Sequence, residues 1–168
     1  MEKRLILHDL PSQMAEKLCA HDKDTAVFCA HPAVRHCVGC FGCWIKTPGK
    51  CVIADRAREF CDMLPQQDEV IIISKLTFGG LSPDVKAVLD RSIGYMLPFF
   101  RIIKGEMHHV QSFTSSPVFI YHFYQAAGKP AQKETAQKLA AANALNFGSP
   151  IVNMYFHEDD MSVSEVLL

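Results

Sequence analysis

The sequence contains no apolar run long enough to cross a bilayer, no internal repeat, no low-complexity segment and no block of like charge. Each absence removes a class of protein. The missing apolar run argues against a membrane-spanning helix. The balance of 17 Lys+Arg against 18 Asp+Glu, a formal net charge of −1, leaves no footprint for nucleic acid or an anionic membrane. No Walker loop, no Ser/His/Asp triad with local context and no paired-carboxylate hydrolase pattern is present. The first apolar run, Leu5-Ile6-Leu7, is too short for an export signal, so the chain is expected in a reducing cytoplasm. At 168 residues with 49% hydrophobic content, it is expected to form one domain, 1–168, whose core needs no disulfide staples.

What the sequence does have is thiols. Of its 7 cysteines, Cys37, Cys40, Cys43 and Cys51 fall within fifteen residues, spaced by two, two and seven. In a reducing compartment such a group binds a metal or cluster, or acts as redox thiols, rather than forming bridges. Bacterial ferredoxins open with the same Cys-x2-Cys-x2-Cys spacing, and thiolates are the expected ligands of a [4Fe–4S] cluster. The small spacers Val38-Gly39 and Phe41-Gly42 let the chain fold back, so that three sulfurs converge and Cys51 closes the site. Structural zinc and free, partly buried thiols are the competing readings. His36 adjoins the group without being required as a ligand.

The surrounding pattern is α/β. Leu5-Ile6-Leu7, residues 25–30, Val70–Ile73, 118–121 and 151–156 read as strands. The run Val70-Ile71-Ile72-Ile73 is continuous and β-branched, as a central parallel strand buried on both faces should be. Between the strands fall a short helix after Pro11, a long loop holding the cysteines, and a helix from an Asp55 cap with its apolar stripe on Ala57, Phe60, Cys61 and Leu64. A further helix starts at Ser82-Pro83-Asp84, and an alanine-rich one runs from Pro130 to Phe147 and ends at Gly148, with Pro150 beyond. Residues 92–113 resist assignment. Five strands alternating with helices predict a doubly wound parallel sheet with helices on both faces, whose ligands bind beyond the carboxyl ends of the strands.

The stretch Ile72-Ile73-Ser74, the Phe78-Gly79-Gly80 loop, Ser82, Lys86 and Leu89-Asp90-Arg91 resembles the core of the NADPH-dependent FMN reductase family. The preceding run from Cys37 to Trp44, with Gly49-Lys50-Cys51-Val52-Ile53-Ala54-Asp55, is similar to the cysteine segment of that family's iron–sulfur flavoprotein branch. The resemblance implies a flavodoxin-like fold with strand order 2-1-3-4-5, bound FMN, NAD(P)H as electron donor and a homodimer or homotetramer. The loop Leu76, Thr77, Phe78, Gly79 and Gly80 is then expected against the flavin ring, and Tyr124 and Gln125 at its pyrimidine edge. Ser12 and Gln13 would meet its phosphate. Two departures stand out. The family's Gly-Ser-Pro-Arg type phosphate loop is replaced by Asp9-Leu10-Pro11-Ser12-Gln13, and its Pro-x-Tyr by Lys75-Leu76-Thr77-Phe78.

Other signals read more plainly. Adjacent His108 and His109 are expected in a loop or interface, since neighbours on a regular element point apart. Tyr95, Met96, Leu97, Phe99 and Phe100 are expected to form an oligomer interface, and Asp90-Arg91 a structural ion pair. The reading that results is an FMN-binding oxidoreductase or electron-transfer protein, with a [4Fe–4S] cluster as an optional addition. The alternative is a flavin-free flavodoxin-fold protein that binds metal or senses redox state.

Overall fold

A computed structural model describes residues 2–19, 24–112, 116–149 and 152–163, with backbone only for 16–19. In chain order the elements are β1 (Arg4–His8), α1 (Ser12–Cys19), β2 (Thr25–Cys29), α2 (Gly42–Ile45), α3 (Ala57–Met63), β3 (Glu69–Lys75), α4 (Pro83–Arg91), β4 (Met96–Ile103), β5 (Glu106–Gln111), β6 (Val118–Tyr124), α5 (Pro130–Asn146) and β7 (Val152–Phe156). The order in the larger sheet is β2-β1-β3-β6-β7. All four pairings in it are parallel. With β4 and β5 set aside, this is the expected 2-1-3-4-5 order. The chain winds away from β1 in both directions, so β1 and β3 flank the switch point. Expectations placed on Phe113, Pro150 and Ile151 lie outside the described residues.

Burial explains why these segments pair. Val70, Ile72 and Ile73 are fully buried and Ile71 nearly so, which two covered faces require. One face of the sheet packs Leu5, Leu7, Val70, Ile72, Phe119 and Tyr121 against α3, α4 and α5. The other carries a smaller cluster of Ile6, Leu10, Met14, Ile71, Ile73, Tyr124 and Val163. In the larger core Phe28 and Phe60 meet edge to face at 5.6 Å, with the Arg56 guanidinium 4.6 Å from the Phe28 ring centre. Helix α4 starts as its sequence prescribes: Ser82 Oγ accepts the Val85 N–H at 3.3 Å, followed by Pro83 and Asp84.

The unassigned stretch 92–113 is a 3₁₀ turn, Ser92–Tyr95, leading into an antiparallel β4–β5 hairpin. The hairpin turns at Lys104-Gly105, with φ of 51° and 87°. One side docks through Trp44, whose indole N–H donates to Met96 O at 2.7 Å and whose ring lies 4.8 Å from His109. Phe99, Phe100, Ile102 and Met107 stay exposed. Tyr95 departs from the interface expectation. It is buried, 5.8 Å from the Phe147 ring, because the 3₁₀ turn tucks it into the core before the hairpin leaves. His108 and His109 point apart: His108 bonds Asn146 at 3.0 Å, and His109 bonds Leu97 O at 2.9 Å.

Two buried histidines govern acid behaviour. Burial, then the charge of His31, lowers His8 to about 4. Burial, then His157, lowers His122 to about 4. His122 Nδ1 and His157 Nε2 lie 3.0 Å apart, so one ring must stay neutral to accept. In the unfolded chain both would titrate near 6.5. Between about 6.5 and 4 the unfolded state therefore binds more protons, and stability falls as pH falls. Their contribution is complete above pH ~6.5. We expect the urea midpoint to drop across that window by an amount worth up to about 3 kcal/mol per histidine, and less in His122→Gln. A midpoint flat from pH 7 to 4 would contradict this. Phe60→Ala, which empties the core under α3, is expected to cost about 3–5 kcal/mol in the same assay at neutral pH.

Candidate functional site

Residues 30–56 contain only one short element, α2, so where this segment turns inward its carbonyls need partners from outside regular structure. Arginines supply many of them. From the start of α3, Arg56 donates to Cys29 O at 2.6 Å, His31 O at 2.7 Å and Pro32 O at 3.1 Å. Arg58 donates to Cys51 O at 2.7 Å and Val52 O at 2.9 Å. Arg91, at the end of α4 and 1% exposed, reaches in from the opposite side. Its two terminal nitrogens bond Asp55 Oδ1 and Oδ2 at 2.9 and 3.0 Å, Arg35 O at 2.8 Å and Ile53 O at 2.9 Å. Its Nε–H points at Cys51 Sγ, 3.0 Å away. Burial pushes the Asp55 carboxyl up, but the Arg91 bonds and the Arg35 N–H outweigh it and hold the group below the usual range. Asp90 pairs with Lys86 instead, so Asp90 and Arg91 do not form the pair expected between them.

This frame brings the four predicted cysteines together. Cys37, Cys40, Cys43 and Cys51 all line one apolar cavity of about 40 Å³, closed by Val38, Ile53, Arg91 and Ile93. Cys37 and Cys40 are exposed, Cys43 is buried and Cys51 lies between. None of the six described cysteines is in a disulfide. Burial raises the Cys43 thiol, and the neighbouring Cys51, Cys37 and Cys40 raise it further. The path back after Cys40 depends on Phe41, in the left-handed region at φ 54°, and on Gly42, where a Cβ would come within 2.5 Å of Val52.

Among the described residues, no three His, Cys, Asp or Glu groups are placed to hold one metal ion. A mononuclear zinc centre needs its ligands around a single point. Cluster ligands bind separate irons and need only surround a shared space. Four thiols around one cavity suit a cluster in donor type and arrangement. The cavity as it stands has room for a few waters. Residues 36–40 make no hydrogen bond with the described residues.

The second predicted group gathers at the carboxyl rim of the sheet. Leu76 N–H donates to Tyr124 O at 2.9 Å, and the Tyr124 hydroxyl donates to Asp9 O at 3.3 Å, so the loops after β1, β3 and β6 meet. Thr77 and Gly80 bond each other across a tight turn. At its tip Phe78 takes φ 49° and is 93% exposed, while Gly79, at φ 78°, packs where a Cβ would lie 2.8 Å from Thr135. A non-glycine residue in this region is strained, and here it thrusts an aromatic ring outward. Gln125 is also left-handed, at φ 53°, and exposed.

Ser12 and Gln13 open α1, and their N–H groups bond none of the described residues. The Asp9 carboxylate is buried and turned towards β3, accepting the Lys75 N–H at 3.2 and 3.3 Å and a Ser82 hydrogen bond. Burial nevertheless raises its carboxyl above the usual range. The rim thus gathers the residues expected from the sequence, the Leu76–Gly80 turn, Tyr124 and Gln125, at the carboxyl end of the sheet beside the start of α1.

A cleft of about 430 Å³ between α4 and α5 joins the cysteine cavity, sharing Cys37, Gly39 and Ile93 with it. Sequence reasoning missed this cleft and the roles of Asp9, Asp55 and Arg91. The motif Leu89-Asp90-Arg91 was visible, but its partners lie 36 and 40 residues away.

Sheet order and connections define a flavodoxin-like α/β protein. No family model matches the chain. It is similar to an iron–sulfur flavoprotein of Methanocaldococcus jannaschii, 38% identical over 72 residues, which is 40% of this chain and 36% of the relative. The chain thus spans about a third of that relative's length. Solved structures with the same fold cover nearly all of it. A Streptococcus mutans protein has a TM-score of 0.62 at 12% identity, covering 98% of this chain and 94% of its own. An NAD(P)H:quinone oxidoreductase from Methanothermobacter marburgensis has a TM-score of 0.60 at 14% identity, over 99% and 93%. An azoreductase from Bacillus anthracis has 0.59 at 14%, over 99% and 93%. The resemblance read from the motifs is therefore met by an iron–sulfur flavoprotein relative and by the flavodoxin-like fold.

If the cysteine cavity takes a cluster, iron should order the loop that holds it. Reconstitution with iron and sulfide is expected to slow amide hydrogen exchange across residues 36–43 by at least tenfold. Equal exchange with and without iron would argue against these ligands.

Proposed function

We propose that this chain is an FMN-binding oxidoreductase or electron-transfer protein that draws on NAD(P)H and carries a [4Fe–4S] cluster on Cys37, Cys40, Cys43 and Cys51. The observation that carries this reading is the gathering of all four cysteines around one cavity, in a sheet whose switch-point loops also converge. The M. jannaschii iron–sulfur flavoprotein supports it, as do the named activities of the azoreductase and quinone reductase neighbours.

When bound, FMN supplies hydride acceptance from a nicotinamide and delivery of one or two electrons. Ser12 and Gln13 would hold its phosphate, the Leu76, Thr77, Phe78, Gly79 and Gly80 loop its ring, and Gln125 its polar edge. Tyr124 serves by fixing the β1 rim through Asp9. The cysteines would hold a one-electron centre. The 430 Å³ cleft beside Cys37 gives an acceptor a way to approach it. Exposed Phe99, Phe100, Ile102 and Met107 favour assembly with further copies of the chain, as a dimer or tetramer.

An anaerobic absorption spectrum, with flavin, iron and sulfide assays on the same sample, tests this reading. We expect flavin bands that bleach with NAD(P)H, and about four irons and four sulfides per chain. One observation favours a second reading, a flavin-free metal or redox sensor: the β1 loop has Pro11, which lacks an N–H, and a carboxylate at Asp9. Protein that holds iron yet fails to take up added FMN would select it.

A further inference from the structure

We propose that Arg91 is a positioning residue for the cluster: its Nε–H hydrogen bond anchors Cys51 as a distinct ligand and raises the cluster's reduction potential. This rests on the proposed cluster.

The geometry around Arg91 carries the argument. A guanidinium has five N–H groups in one rigid plane. Four of them are committed to Asp55 Oδ1 and Oδ2, Arg35 O and Ile53 O, at 2.8 to 3.0 Å. Those four bonds fix the plane, so the fifth donor has no freedom to choose its partner. It lies 3.0 Å from Cys51 Sγ. The side chain is fully buried, so water does not compete for that N–H. A lysine could supply the charge but not the fork. The main chain at Cys51 and just after it is held as well, since Arg58 donates to the carbonyls of Cys51 and Val52.

The other three sulfurs lack this support. Among the described residues, no side chain donates to Cys37, Cys40 or Cys43. The four ligands are therefore unequal: one sits on a braced segment with a charge-assisted donor, and two sit on an exposed loop. A hydrogen bond to a ligand sulfur draws off negative charge and favours the reduced form of a cluster. It also stabilises the bound thiolate against loss.

The experiment uses the holoprotein and Arg91→Lys. If the unaltered protein binds no iron and sulfide, the cluster reading itself fails and this proposal with it. If it binds both, we expect Arg91→Lys to keep full iron and sulfide when reconstituted. Its midpoint potential should shift downward, and it should lose iron to a chelator at least tenfold faster. An unchanged potential with an unchanged rate of iron loss would overturn the role of Arg91 while leaving the cluster in place. Because a buried arginine is a risky position to alter, a second measurement uses the unaltered sequence. With ¹⁵N-arginine incorporated, pulsed EPR of the reduced cluster should show a ¹⁵N coupling absent from the unlabelled protein. No arginine coupling would overturn the proposal even if the variant fails to fold.

Discussion

A buried guanidinium with all its donors bonded is the constraint on which the cysteine segment depends. Residues 30–56 are largely irregular and mostly exposed, and the carbonyls on their inner side need partners from the protein. Arg91 reaches three separate points of this segment, at Arg35, Ile53 and Asp55, as well as the Cys51 sulfur. It does so from a well-capped helix on the central strand. Desolvating such a charge is expensive, and only complete pairing offsets it. Loss of a carbonyl acceptor would leave a buried donor unpaired, and loss of Asp55 would leave the charge without its counter-ion, so the segment has little latitude in its path.

The two candidate centres stand differently towards this frame. The rim loops are fixed by main-chain geometry: the Leu76–Tyr124 bond, the Thr77–Gly80 turn and the left-handed residues Phe78 and Gln125. The cysteine cavity is fixed by side chains on one flank and open on the other. A rigid rim suits a planar ring that must be presented in one orientation. A half-braced cavity suits a group that is assembled in place from smaller parts.

The sequence made the sheet legible because each of its strands announces itself. Val70–Ile73 is apolar on both faces, and only a covered parallel strand explains that. Strand order came from resemblance to a family, since local pattern carries no information on which strands are neighbours. The hairpin of β4 and β5 escaped because its two sides are unevenly exposed, and Phe99 and Phe100 break the alternation that marks a half-buried strand. The cysteine spacing singled out four thiols that the structure gathers around one cavity. The arginines that organise them were illegible for a physical reason: a guanidinium spans such a distance that its partners follow from tertiary packing, not from spacing along the chain.

The hairpin has a consequence for how the molecule assembles in time. Its pairing joins Met96 to Gln111, fifteen residues apart, whereas the first contact of β1 with β3 joins Arg4 to Glu69, sixty-five apart. Local hairpins close within about 1–10 μs, while parallel pairings wait on the closure of long loops. The segment bearing the exposed aromatic rings is thus the earliest antiparallel piece able to form. Those rings face solvent before the sheet exists and still face it when the chain is folded. The hairpin's two faces are thus sorted in time: its Trp44-docked side waits for the rest of the fold, while its aromatic side keeps the exposure it had when the hairpin closed.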